Sequence, residues 1–81
     1  MAMNYLQYIV RDPAVCGGEP TIKGTRVTVR TVLANLADGM SVTNIVREFP
    51  ILDEQAVRAV IAFAAALAEE DLPASPLRSH P

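Results

Sequence analysis

The sequence predicts a mainly α fold: three helices in a helix-turn-helix arrangement, preceded by a short N-terminal β-hairpin or ribbon. One observation dominates. From Ala56 to Ala68 the chain holds one charged residue, Arg58, and otherwise only Ala, Val, Ile, Phe and Leu. Two shorter amphipathic stretches lie just before it, each bracketed by helix start and stop signals. The first third is richer in β-branched residues and Gly, as a ribbon and its turns require.

The longest helix is expected from Asp53 to Glu70. Val57, Val60, Ile61, Ala64, Leu67 and Ala68 recur at the spacing of one helical face. Ala-rich content without Gly or Pro favours helix intrinsically. Asp53 can cap the first amides, and Leu52 before it can pack on Val57 as a hydrophobic staple. Glu69, Glu70 and Asp71 oppose the helix dipole at the other end, so the helix should stop before Pro73. Burying Val57, Val60, Ile61, Phe63 and Leu67 would contribute roughly 1.5–3 kcal/mol each before entropy.

Ahead of that helix, Leu6 to Arg11 reads as a strand, ended by Asp12-Pro13 and a single helical turn to about Gly17. Thr21-Ile22 and Thr25 to Thr28 flank Lys23-Gly24, which predicts a tight hairpin with Gly24 at positive φ. Thr28 or Thr31 opens the first helix, striped by Val29, Val32, Leu33, Leu36 and Ala37, and Gly39 closes it. Ser41 caps a second, short helix with Val42, Ile45, Val46 and Phe49 buried, and Pro50 stops it. Residues 1–70 thus form one domain, a β-extension over about 5–28 and three helices over about 29–70. The Pro-rich stretch 71–81 has little to bury and is expected to be disordered.

The chain has 81 residues and a net charge of −2, which argues against general polyanion binding. Cys16, the only cysteine, makes no disulfide framework and fits a reducing cytosol. No signal peptide is evident at the N-terminus, and the apolar run of about 13 residues is too short to span a bilayer. A soluble, cytoplasmic, non-enzymatic protein is therefore expected, without cofactor. A cysteine nucleophile needs a base, and the sole histidine, His80, lies in the tail. One Cys and one His cannot build a metal site. Gly18, Lys23, Gly24 and Thr25 mimic a phosphate-binding loop only with Lys and Gly in swapped order.

Two surfaces remain as candidates. Lys23, Arg26 and Arg30 form a basic stretch without an acid, with Arg47 on the second helix. They could contact phosphate beside a helix-turn-helix, or simply be a solvated edge. Gln55 and Arg58 stand where a recognition helix reads bases, although Glu54 beside them disfavours DNA. The other surface is the long helix itself. Stepping around it from Val57 places Ala59, Ala62 and Ala66 on the far side with Phe63 at its flank. That predicts a protein interface, most simply a two-fold homodimer.

The segment CGGEPTIKGTRVTV, with LADGMSVTNIVREFPILDEQAVRAVIAFA after it, resembles domain-of-unknown-function family 433. Cys16, Gly17, Gly18, Pro20, Gly24, Thr25 and Arg26 match its motif, and the resemblance covers about Tyr5 to Glu70. It implies a homeodomain-like helical domain with an N-terminal β-extension. It also implies an antitoxin-like role in a type II toxin–antitoxin pair, with a PIN-like ribonuclease as the toxin and operator DNA as a secondary partner. The competing expectation is a stand-alone helix-turn-helix transcriptional regulator.

Overall fold

The computed structural model describes residues 4–71. Two strands and three helices follow one another: β1 (Ile9–Arg11), β2 (Pro20–Ile22), α1 (Val29–Ala37), α2 (Val42–Glu48) and α3 (Glu54–Asp71). The fold is mainly α with an N-terminal antiparallel ribbon, as expected. Each pair of helices is in contact, so the three share one core.

The ribbon differs in detail from the expectation. Asn4 caps a single 3₁₀ turn, Tyr5–Gln7, so Leu6 is not in the strand and is 71% exposed. The strand begins only at Ile9, and β1 pairs with β2 in the register Ile9 to Ile22, Val10 to Thr21 and Arg11 to Pro20. Pro20 costs no ladder bond because it is the first residue of its strand. The expected turn at Lys23-Gly24 is present. Thr25 N–H donates to the Ile22 carbonyl at 2.9 Å, and Gly24 has a φ of 80°. Beyond it Ile22 N–H reaches the Val27 carbonyl at 3.0 Å, and Thr21 bridges Thr28.

Local capping chemistry sets the helix bounds. Thr28 Oγ1 accepts from Thr31 N–H at 3.1 Å, Ser41 Oγ from Asn44 N–H at 3.1 Å, and Asp53 Oδ1 from Ala56 N–H at 2.8 Å. Each satisfies an amide that the first helical turn leaves orphaned. At the end of α1, Met40 N–H bonds the Asn35 carbonyl and Gly39 N–H the Leu36 carbonyl, both at 3.0 Å. This is the Schellman pattern, and it needs the left-handed φ of 96° that Gly39 supplies.

Every element feeds the core: Ile9, Ile22, Val29, Val32, Ile45, Leu52, Ala56, Val57 and Val60 are buried together. Leu52 and Val57 share it, as the staple requires. Thr21 is buried with them, its hydroxyl directed at the Val10 carbonyl at 3.5 Å.

The expected orientation of α3 is corrected. Ala59 is fully buried, and Phe63 is half-buried against the core, whereas Ile61 and Leu67 are 41% and 40% exposed. The inward line runs through Ala56, Val57, Ala59, Val60 and Phe63, which turns the helix by roughly 80° from a Val57-centred stripe. The cause is the N-terminal turn. Tyr5 packs on Phe63 with ring centroids 5.5 Å apart and planes at 76°, covering the side expected to be bare. Leu67 faces inward but lies past the far edge of the three-helix core. α3 continues through Asp71, one residue into the stretch expected to be disordered. Residues 72–81 of that stretch, His80 included, lie outside the described residues.

Candidate functional site

The loop from Asp12 to Gly18 and the turn from Ile22 to Thr25 are built around the motif residues. Asp12 Oδ1 accepts from Ala14 N–H at 2.9 Å and its carbonyl from Val15 N–H at 2.8 Å. Cys16, Gly17 and Gly18 then carry three successive positive φ angles, 50°, 66° and 86°. Cys16 is half-buried, and its Sγ is 3.5 Å from the Arg26 carbonyl. Loop and turn are thereby tied together. Thr25 braces the turn from within, because its hydroxyl donates to the Ile22 carbonyl at 2.8 Å and accepts from Val27 N–H at 3.0 Å.

The basic residues meet different fates. Arg30, in the first turn of α1, is ion-paired with Glu19 at 2.8 Å. Arg58 holds Glu54 one turn earlier, through Nε at 3.0 Å and Nη2 at 2.7 Å. Both pairs are exposed, so each adds little stability, but each occupies a guanidinium expected to contact nucleic acid. Lys23, Arg26 and Arg47 are exposed and have no ion pair among the described residues. Arg26 stands in the wall of an open cleft of about 570 Å³ that also includes Val10, Val15 and Ile51. The ribbon turn therefore sits beside the loop that leads into α3. Gln55 is exposed at the start of that helix.

Of the expected protein interface, Ala59 is sealed in the core, and Phe63 is engaged with Tyr5. Ala62 and Ala66 remain half-exposed. Two other apolar surfaces stand out. One is a groove of about 480 Å³ between α1 and the C-terminal half of α3, lined by Pro20, Leu33, Ala34, Ala37, Phe63 and Leu67, with Glu19 and Arg30 at its rim. The other is the outward face of α3, where Arg58, Ile61, Ala62 and Ala65 line a shallow hollow of about 250 Å³. The sequence held a signal for both. The uncharged run from 59 to 68 is apolar on every side, more than a single buried stripe needs.

Among the described residues no cluster of His, Cys, Asp and Glu could hold a metal ion, and no helix is long and apolar enough to cross a membrane.

Fold and surfaces together describe a small tri-helical domain with a β-extension whose distinctive features are its exposed apolar hollows. The chain belongs to the DUF433 family, described as "Protein of unknown function", whose family model matches residues 9–64. That span holds the motif loop, the ribbon turn and all three helices up to the second half of α3. The chain is 35% identical over 60 residues to "Uncharacterized protein y4eO" of Sinorhizobium fredii (strain NBRC 101917 / NGR234). The similarity covers 74% of this chain and 27% of that protein, so the chain spans about a quarter of that relative. No solved structure matches the chain.

Proposed function

We propose that this chain is a non-enzymatic, antitoxin-like binding protein whose partner is a PIN-like ribonuclease, held in the groove between α1 and α3. The observation that carries this reading is the groove itself. Leu33, Leu67 and Phe63 expose apolar surface there at the edge of a domain too small to cover it, and the small side chains of Ala34 and Ala37 let a partner come close. The Glu19–Arg30 pair at the rim gives the contact a polar border. The PIN-like identity of the partner rests on the family resemblance alone.

Coexpression with the ribonuclease of the adjacent reading frame tests it. The wild-type chain should relieve growth arrest by the nuclease and co-purify with it. Ala34→Glu, at an exposed helical position, should do neither while remaining folded. Absence of such a nuclease, or full relief by Ala34→Glu, overturns the reading.

A second reading, a helix-turn-helix transcriptional regulator, is favoured by one observation: Lys23, Arg26 and Arg47 lack carboxylate partners among the described residues. Against it, Asp53 and Glu54 place negative charge at the start of α3, where DNA would have to enter. Operator binding is accordingly the secondary activity, acting on the operon of the pair.

A further inference from the structure

We infer that the outward face of α3 is a homodimer seam, in which a second copy packs antiparallel with the two-fold axis between Ala62 and Ala65. This goes beyond the nuclease-binding reading, because it concerns a different face and a different occupant.

Arg58, Ile61, Ala62, Ala65 and Glu69 lie within roughly 60° of a single line down the helix, opposite the buried residues. All are exposed or half-exposed, and Ile61 is the large apolar residue among them, 41% exposed. A solvated helix face is normally polar. Here no charged residue occurs from 59 to 68, and the stripe ends on a cation at one end and an anion at the other.

That charge order selects the occupant. In an antiparallel pair centred between Ala62 and Ala65, Arg58 comes opposite Glu69 of the second copy, and the two-fold repeats the contact. Ala62 comes opposite Ala65 of the second copy, also twice. Small side chains allow the helix axes to approach to about 8 Å, and each Ile61 then fills the space beside the Ala62–Ala65 crossing. A parallel pair would set Arg58 against Arg58 and Glu69 against Glu69. The antiparallel one also opposes the helix dipoles favourably. Glu54 does not compete for the position. It takes two of the donors of Arg58, and the guanidinium has five, so N–H groups remain for Glu69 of the second copy. The complementarity is internal to one stripe, which is the property an isologous contact needs.

Sedimentation equilibrium of the full chain over a wide concentration range decides it, with circular dichroism to confirm that each variant is folded. The wild type should reach a dimer at high micromolar concentration. Arg58→Glu or Glu69→Arg alone should weaken dimerisation about tenfold, because each reversal creates two like-charge contacts per dimer. The double swap, Arg58→Glu with Glu69→Arg, should restore it. Ala65→Glu should abolish it, while Ala34→Glu in the groove should leave it unchanged. A wild type that stays monomeric, a double swap that fails to rescue, or a dimer that survives Ala65→Glu overturns the seam. None of these results bears on nuclease relief, so the two proposals fail separately.

Discussion

Tyr5 and Phe63 meet edge to face, with centroids 5.5 Å apart, and this contact joins the first described turn of the chain to the middle of its longest helix. It closes one side of the core and leaves Phe63 half-buried, with its remaining surface in the groove against α1. Aromatic pairs of this geometry contribute about 0.5–1.5 kcal/mol beyond their area. Phe63→Ala should therefore lower the melting temperature clearly, and Tyr5→Ala less so. Denaturant melts of both single variants and the double variant should show a coupling of about 1 kcal/mol. Strict additivity would mean that the pair does not hold the N-terminal turn.

The corrected orientation of α3 predicts opposite outcomes for two alanines six residues apart. Ala59 is fully buried, and Ala59→Glu would bury an unpaired carboxylate at a cost of several kcal/mol, enough to unfold a domain of this size. Ala65 is exposed, and Ala65→Glu should leave the monomer's helicity and stability within about 0.5 kcal/mol of wild type. Circular dichroism on both purified chains distinguishes them. A stable, folded Ala59→Glu chain would contradict the buried position of Ala59.

Gly24 tests the ribbon turn. Its φ of 80° is left-handed, and an added Cβ would meet nothing within 4 Å, so any cost of substitution comes from backbone strain rather than a clash. Gly24→Ala should cost on the order of 1 kcal/mol, and Gly24→Val more, because β-branched residues tolerate this region worst. Gly24→Asn should be milder than either. A thermal melt unaffected by Gly24→Val would contradict the turn.

The cap of α3 offers a simpler measurement. Asp53 Oδ1 holds Ala56 N–H at 2.8 Å, and Asp53→Ala should cost about 1 kcal/mol, with Asp53→Ser recovering most of it. Denaturation midpoints at constant m-value would report the change.

For DNA, the ion pairs of Arg30 and Arg58 lower the expected electrostatic footprint. Of the cations expected to meet phosphate, Lys23, Arg26 and Arg47 keep no ion pair among the described residues, so the log–log salt slope should be near −2.7 per protomer, against about −3.6 if Arg30 also contributed. A gel-shift titration on the chain's own promoter at several salt concentrations measures it. Tight binding that persists after Lys23, Arg26 and Arg47 are replaced by Ala would show that another surface is responsible.

Much of this architecture was legible in short stretches of residues. Thr28, Ser41 and Asp53 cap helices because their side chains reach amides only two or three residues away. Gly39 and Gly24 mark chain reversals because few other residues adopt left-handed φ cheaply. Such rules need no knowledge of the rest of the molecule. The charge reading was legible only in part: the basic residues were plain, but the Glu19–Arg30 pair joins positions 11 apart across the ribbon and the first turn of α1. The azimuth of α3 was legible only roughly: Val57 and Val60 are buried as expected, but the flanks of the stripe were not decided. Ala on every side makes the helix nearly indifferent to which face is buried, so periodicity could not choose between Ile61 and Ala59. The choice fell to contacts distant in sequence, where Tyr5 reaches back to Phe63 and α1 and α2 close over Ala56 and Val60. The outward stripe of α3 is what those contacts left uncovered.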